Sequence, residues 1–272
     1  MLHLKSDFIV SNGTKLHYYR TGSGTQPLVL AHGITDDGLC WSSVAEALAD
    51  RFDILMVDAR GHGKSEAPEN GYLLETLARE LAGLIQGLGL SRPILLGHSM
   101  GAVTSLVLAG LYPDLPRAIL LEDAPPFWRH DPADPKGIET RKGLAEWIRS
   151  IKRKTKEELM EEADTKSWTD ADRAVWVDAK QRTSPRVSEL ISPADILSLD
   201  LPHLFLKIRC PALFIQTDVE KGAVASGEDI AALKSLVPSL QVAYIPNASH
   251  SIRRTQFGPH LQAVNGFLVE LG

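Results

Sequence analysis

Cysteine is scarce in this sequence, and the two that occur, Cys40 and Cys210, are far apart in a chain of 272 residues. Two cysteines cannot form a disulfide framework, and no C-x-x-C pair is present. Both have apolar neighbours, which favours a packing role. This cysteine usage is typical of a reducing compartment, so we expect a cytoplasmic protein.

Long apolar runs are also missing. The chain begins MLHLKSDFIVSNGTKLHYYR, which lacks the apolar core and small-residue cleavage site of a secretory signal. The longest apolar stretch, Met100–Leu111, is interrupted by Thr104, Ser105 and two glycines. It falls short of the roughly 18 residues that a membrane-spanning helix needs. We therefore expect neither secretion nor insertion into a membrane.

The sequence has no excess of positive charge. It contains 29 Lys and Arg against 34 Asp and Glu, and the net charge of −5 offers no broad basic surface for nucleic acid. No His-x-x-x-His pair, cysteine cluster or dense carboxylate set predicts a metal site. No glycine spacing matches a phosphate-binding loop, so we expect no cofactor. The expected partner is a small molecule, and the sequence leaves the oligomeric state open.

Short apolar runs do occur, and they alternate with segments of helical spacing. Asn12-Gly13 separates two runs near the N-terminus and predicts a β-hairpin. Further strands are predicted at 27–31, 52–57, 93–96, 118–121, 212–216 and 241–245. Helices are predicted at 41–49, 73–87, 100–111, 227–236 and 256–271. Such alternation indicates right-handed crossovers and an α/β fold with a mostly parallel, doubly wound sheet.

The alternation stops after Asp123. Between about 125 and 208 the sequence is rich in charged helical segments, predicted at 143–154, 156–164, 170–182 and 194–201. We therefore predict a core domain built from 1–124 and 209–272. The intervening 125–208 is predicted to be an all-helical cap, or lid, over the carboxyl edge of the sheet.

The pentapeptide Gly97-His98-Ser99-Met100-Gly101 fits the G-x-S-x-G pattern of a serine nucleophile. It lies between a predicted strand and a predicted helix, which is the context that the chemistry requires. A glycine two residues to either side is needed because a Cβ there would meet the neighbouring strand or helix. Ser99 is therefore the candidate nucleophile.

A serine hydroxyl needs a base to take its proton. Among nine histidines the best candidate is His250, which directly follows the last predicted strand. In a parallel sheet, that loop opens at the same edge as the turn that carries Ser99. His260 falls inside the last helix, and His98 is adjacent to Ser99 and must point elsewhere.

Four segments in this order resemble the α/β-hydrolase fold superfamily, in its serine esterase and lipase-like branch with a helical cap. They are His32-Gly33 after PLVLA, the segment DARGHGKS after ILMV, the GHSMG turn, and Ala248-Ser249-His250. The resemblance implies that the backbone N–H groups of Ile34 and Met100 form an oxyanion hole. It also implies a structural role for His32.

Three carboxylates compete to orient His250. In the commoner family arrangement the acid follows the strand after the insertion, where Asp218 and Glu220 stand. In other members it follows the strand after the nucleophile's helix, which points to Asp123, 24 residues beyond Ser99. The segment DAPP also resembles the D-x-x-P of acyl-thioesterase-like and fluoroacetate-dehalogenase-like branches. The two carboxylates that do not orient His250 are expected to cap a helix or bind backbone N–H groups.

Aromatic residues are concentrated in the predicted cap. Phe127 and Trp128 lie nearest the strand ends, so we expect them to line an apolar substrate pocket, while most of the others hold the cap together. Trp41 is expected to form the wall of the pocket on the side of Ile34.

These features predict a carboxylic-ester hydrolase that acts on small to medium apolar substrates through a Ser-His-Asp triad and an acyl-enzyme. A lactonase of the acyl-homoserine lactone type, or a thioesterase, would use the same groups. A hydrolase-fold ligand receptor is the alternative from another class. A serine rather than an aspartate at position 99 argues against epoxide hydrolase and haloalkane dehalogenase chemistry on this fold.

Overall fold

A single eight-stranded sheet organises the computed structural model, which describes residues 3–22, 24–129, 134–191 and 199–272. The strands are β1 (Lys5–Ser11), β2 (Thr14–Arg20), β3 (Gln26–Ala31), β4 (Phe52–Val57), β5 (Ile94–His98), β6 (Ala118–Glu122), β7 (Ala212–Gln216) and β8 (Leu240–Tyr244). Their order across the sheet is β1-β2-β4-β3-β5-β6-β7-β8. The β1–β2 and β2–β4 pairs are antiparallel, and every pair from β4 to β8 is parallel. The predicted doubly wound α/β fold is confirmed.

Ten α-helices are found in the described residues. They are α1 (Ser42–Leu48), α2 (Leu74–Gly87), α3 (Met100–Leu111), α4 (Pro135–Ile151), α5 (Lys156–Asp164), α6 (Asp170–Arg182), α7 (Leu201–Phe205), α8 (Gly227–Leu236), α9 (Ile252–Thr255) and α10 (Phe257–Glu270). Short 3₁₀ turns occupy Gly38–Trp41, Phe127–Arg129, Pro185–Ile191 and Val219–Lys221.

The core lies on both faces of the sheet. Alternate residues of each central strand point to opposite sides, so Val29 packs with α2 and α3 while Leu28 and Leu30 pack with α1 and α10. All three side chains are fully buried. Burial on both faces explains why these strands appear in the sequence as continuous apolar runs.

The predicted hairpin is present, with β1 and β2 paired from Lys5–Arg20 to Ser11–Thr14. Asn12 and Gly13 both have positive φ, 48° and 81°. Two consecutive residues with positive φ define the type I′ turn, whose twist matches that of the strands it joins.

A helical insertion, residues 125–208, separates β6 from β7. Its first helix begins at Pro135 rather than at the predicted 143, because Asp134 accepts hydrogen bonds from the N–H groups of Lys136 and Gly137 and so caps it. α5 and α6 occupy the predicted ranges. The predicted helix at 194–201 falls mostly on 192–198, which lie outside the described residues. That the insertion folds as a separate domain stays a prediction.

Candidate active site

Ser99 occupies the turn between β5 and α3. Its backbone has φ 51° and ψ −114°, a conformation that L-residues rarely adopt. Its N–H donates to the carbonyl of Glu122, the last residue of the adjacent strand β6, at 2.9 Å. The turn is thus held at the carboxyl edge of the sheet, as the strand–turn–helix pattern predicts.

The two glycines of the pentapeptide are required by close backbone approach. A Cβ on Gly97 would lie 2.4 Å from the carbonyl oxygen of Gly101. A Cβ on Gly101 would lie 2.2 Å from the carbonyl oxygen of Ala31 at the end of β3. Only glycine lets α3 begin this close to the sheet, which is what brings Ser99 to its position.

His250 follows β8, and its Nδ1 lies 2.6 Å from Oδ2 of Asp123. An ionised carboxylate can only accept, so Nδ1 donates and Nε2 is the ring nitrogen left to accept a proton. His98 Nε2 donates to the backbone carbonyl of His250 at 3.0 Å, which shows where the side chain next to Ser99 points. Burial holds the pKa of His98 well below its usual value, so its ring is neutral.

Asp123 is fully buried and stands just beyond the end of β6. Besides His250, its carboxylate accepts hydrogen bonds from the backbone N–H groups of Val224 and Ala225, at 3.0 and 3.2 Å. Its φ of 44° turns the side chain out of the strand direction. Of the three candidate acids, the structure brings this one to His250.

The other two carboxylates have different surroundings. Asp218 accepts from the hydroxyl of Tyr244 and from the N–H of Asn247, and these bonds lower its pKa. It therefore joins the ends of β7 and β8, which is the backbone-binding role expected of a carboxylate outside the triad. Glu220 is exposed on the 3₁₀ turn Val219–Lys221.

The β3 loop, residues 33–37, lies against the Ser99 turn. A Cβ on Gly33 would be 3.4 Å from the Cβ of Ser99. Ile34 and Met100 both line the cavity that contains Ser99 and His250. Met100 is the first residue of α3, so its N–H has no carbonyl acceptor within the helix.

His32 fixes the position of this loop, which agrees with the structural role that the resemblance implies for it. Its Nδ1 donates to the carbonyl of Gly33 at 2.8 Å, and its Nε2 accepts from the N–H of Ala59 at 3.0 Å. The ring thereby connects the loops that follow β3 and β4.

The cavity has a volume of about 620 Å³, within the range of small-molecule sites. Its floor is formed by the loops that follow the strands, and its other walls come largely from the helical insertion, including Arg141, Trp147 and Lys180. The insertion therefore supplies a large part of the wall of the cavity that contains Ser99.

The described residues contain no group of three or more His, Cys, Asp or Glu side chains placed to hold a metal ion. In the same part of the chain, no helix is both long and apolar enough to cross a bilayer.

The sequence model of the alpha/beta hydrolase family matches residues 28–262, which include Ser99, Asp123 and His250. The chain belongs to the α/β-hydrolase family.

Two relatives match this α/β-hydrolase along most of their length. One is 2-(acetamidomethylene)succinate hydrolase of Mesorhizobium japonicum, 30% identical over 254 residues that cover 90% of this chain and 89% of that protein. The other is N-formylmaleamate deformylase of Pseudomonas putida, 30% identical over 268 residues that cover 96% and 95%. The crystal structure of N-formylmaleamic acid deformylase from Pseudomonas putida S16 has a TM-score of 0.79 and 26% identity, and the match covers 96% of this chain and all of that one. Family membership shows that the chain is related to hydrolases of small molecules.

Two of the three aromatic residues expected in the hydrolase's pocket are elsewhere. Trp41 has no exposed surface, because the 3₁₀ turn at Gly38–Trp41 directs it into the core, where Arg253 lies 4.2 Å from its ring. Trp128 packs against Phe205, and its indole N–H donates to the carbonyl of Asp229. Neither residue lines the cavity, so both assignments are wrong.

Phe127 does line the cavity, together with three tryptophans of the insertion, Trp147, Trp168 and Trp176. From the sequence, most of the aromatic residues of the predicted cap were expected to pack within it. Trp168 and Trp176 do contact each other, with ring centroids 5.9 Å apart, but both also line the cavity.

Asp36 forms the centre of a buried charge cluster that was not predicted from the sequence. Its carboxylate lies within 3.5 Å of the side-chain nitrogens of Lys180, Arg253 and Arg254. Burial alone would raise the pKa of Asp36, but these three cations hold it well below its usual value. In the sequence, the signals for this cluster are the aspartate pair Asp36-Asp37 beside the expected oxyanion segment and the arginine pair Arg253-Arg254 soon after His250.

Proposed function

We propose that this α/β-hydrolase is a serine hydrolase that cleaves an ester or amide bond in a small, carboxylate-bearing molecule through a covalent acyl-enzyme. The proposal is supported above all by the 2.6 Å contact between Asp123 and His250 at the cavity that contains Ser99. Nucleophile, base and acid come from three separate strand ends, and no packing requirement brings them together.

In the proposed mechanism, Ser99 Oγ attacks the substrate carbonyl while Nε2 of His250 takes its proton. Asp123 holds His250 in the tautomer that leaves Nε2 free and stabilises the ring once it is protonated. The N–H groups of Ile34 and Met100 bind the oxyanion of the tetrahedral intermediate. His250 then protonates the leaving alcohol or amine, and a water molecule activated by the same ring releases the acid.

The charge of the cavity wall favours an anionic substrate. Five cationic side chains line the cavity against two anionic ones, Asp36 and Glu162. Asp36 contacts Arg253 and two of these five cations, Lys180 and Arg254, and Glu162 binds Lys154, which is not part of the lining. The lining thus has three more cationic than anionic side chains, which favours a substrate with an anionic group over the small to medium apolar ester expected from the sequence.

Arg141 is the best-placed group to bind a substrate carboxylate. It is about nine-tenths buried on α4 and lines the cavity, and a guanidinium can bind a carboxylate through two parallel hydrogen bonds. The names of both relatives describe acyl–nitrogen compounds that carry carboxylates, which agrees with this choice. We therefore propose that the insertion acts as a cap that selects carboxylate-bearing substrates.

The mechanism is tested with a panel of esters, lactones, thioesters and N-acyl amides, each with and without a carboxylate. Ser99→Ala is expected to lower kcat by at least about 10³-fold on every cleaved substrate. Ser235→Ala, which removes a hydroxyl from the exposed side of α8, serves as the matched control. Mass spectrometry should also show an acyl adduct on the peptide that contains Ser99. Full activity in Ser99→Ala would eliminate the mechanism, and binding without turnover would favour a receptor.

The substrate class is tested with Arg141→Met on one cleaved pair, a carboxylate and its neutral methyl ester. KM for the carboxylate should rise about 10- to 100-fold, as for the loss of a charge-assisted hydrogen bond, while KM for the neutral analogue stays constant. Lys142→Met, one residue along α4 and exposed, is the control. An equal change for both substrates would argue against carboxylate binding by Arg141.

A further inference from the structure

The β3 loop contains a strained residue beside the proposed oxyanion donor. Thr35 has φ 65°, in the left-handed region, and is 2% exposed. A β-branched side chain is a rare occupant of that region, and such a conformation persists only where the surroundings enforce it. What enforces it here determines the shape of the loop next to Ser99.

Contacts from the core hold the first part of the loop. The carbonyl of Gly33 accepts from the ring of His32 and from the N–H of Asp36, at 2.8 and 3.1 Å. In a planar trans peptide the carbonyl and the N–H point in opposite directions, so these bonds also aim the N–H of Ile34. The next N–H, that of Thr35, donates to Nε2 of His62 at 3.1 Å.

The remaining contacts come from the helical insertion. The carbonyl of Thr35 accepts from Nζ of Lys180 at 3.1 Å, and it lies 3.1 Å from Oγ1 of Thr183, whose one proton it shares with the carbonyl of Ala179 at 3.0 Å. Lys180 also lies 3.4 Å from Asp36. These residues form the end of α6 and the position just after it.

A lysine buried at this position is not explained by packing. Lys180 is 1% exposed, and burying an ammonium is unfavourable unless other groups compensate for its lost hydration. Here the compensation comes from the carbonyl of Thr35, the carboxylate of Asp36 and the ring of Trp176, 4.3 Å away. Two of these three partners belong to the β3 loop.

We propose that Lys180 and Thr183 are positioning residues that hold the strained backbone at Thr35 and thereby aim the N–H of Ile34 at the oxyanion. The insertion then contributes to turnover as well as to substrate selection. This inference rests on the proposed acyl hydrolysis, because only an oxyanion needs that N–H.

The test uses two substitutions of similar size, Thr183→Val and Lys180→Met, in the full-length enzyme. Each is expected to lower kcat by about 10- to 100-fold, the scale for a misplaced catalytic group, with KM changed less than about twofold. Thr183→Ser keeps the hydroxyl and should retain most of the activity. Thr165→Val, whose hydroxyl donates to the carbonyl of Glu162 away from the loop, is the matched control.

A second measurement separates oxyanion binding from folding. Binding of a trifluoromethyl ketone, which forms an oxyanion adduct with the serine, should weaken in Thr183→Val by the same factor as kcat, while binding of the product carboxylate stays constant. An unchanged kcat in both variants, with Ser99→Ala inactive, overturns this inference alone. A higher KM at constant kcat also overturns it, because Lys180 would then bind substrate. Activity in Ser99→Ala defeats the proposed function itself.

Discussion

The backbone conformation and the hydrogen bonds of Asp123 set it apart from a carboxylate with a purely structural role. It has a positive φ, lies at the end of a buried strand and receives hydrogen bonds from His250 and from two backbone N–H groups. A carboxylate placed only for packing needs none of these. Asp218 lies two residues beyond the end of the next strand, β7, and its hydrogen-bond partners are Tyr244 and Asn247.

These surroundings lead to a prediction that separates the two acids. Asp123→Asn keeps the shape of the side chain but places an amide donor against Nδ1, which favours the unproductive tautomer of His250. We expect kcat to fall by about 10³- to 10⁴-fold, as for the loss of the acid in other triads. Asp218→Asn should change kcat less than about twofold. Steady-state kinetics on one substrate decides between them, and a larger loss in Asp218→Asn would identify that residue as the acid.

The residues found from the sequence are those with local patterns. Ser99 has its pentapeptide and His250 follows a recognisable strand, whereas Asp123 was singled out by its spacing from Ser99 and by the D-x-x-P pattern. Trp41 was misassigned because a pattern does not show which way a 3₁₀ turn directs a side chain. Lys180 was missed because its partner Thr35 lies 145 residues away, on a different element.

Among the larger elements, strands were located best. Their apolar runs end where burial ends, so the predicted and observed bounds differ by at most two residues. The start of α4 was missed because its first two turns contain only one large apolar side chain, Ile138, although Asp134 and Pro135 are a typical cap and first-turn residue. The last predicted helix, 256–271, agrees with α10 to within one residue at each end, whereas the short helix α9 just before it was not predicted.

The join between β5 and α3 gives a prediction about packing. A Cβ on Gly101 would meet backbone atoms of Ala31, which cannot rotate away as a side chain would. Gly101→Ala should therefore lower the free energy of unfolding by about 2–3 kcal/mol, the scale of overpacking in a core, and should also impair kcat. Gly143→Ala, in an open position on α4, should instead raise it by about 0.5–1 kcal/mol. Urea unfolding measures both, and equal effects would contradict the close contact.

The stability of the whole molecule should depend on pH through its buried histidines. His62 has no exposed surface, its Nδ1 donates to the carbonyl of Arg60 and its Nε2 accepts from the N–H of Thr35. Burial, reinforced by the neighbouring His32, lowers the pKa of His62 to about 3. His98 is held neutral in the same way. A protonated His62 could no longer accept from Thr35.

The sign of the effect follows from which state binds the proton. Below about pH 6.5 the unfolded chain protonates these histidines while the folded protein does not, so the free energy of unfolding falls as the pH is lowered. The buried carboxylates Asp36 and Glu122, whose pKa values are lowered by their cationic partners, add a loss of the same sign that begins near pH 5 and grows at lower pH. Between pH 6.5 and 4.5 most of the loss therefore comes from the histidines.

In that range each fully shifted histidine costs up to about 2.7 kcal/mol, or 1.36 kcal/mol for each pH unit. His62→Gln keeps an acceptor for the N–H of Thr35 but cannot titrate, so it should be less stable than the natural protein at pH 7 and lose less stability on acidification. Urea unfolding at pH 7.0, 6.0, 5.0 and 4.5 measures the slope, with His203→Gln at an exposed position as the control. A slope that is the same in His62→Gln and the natural protein would show that His62 takes up its proton in the folded state, and that the strained loop at Thr35 is held without it.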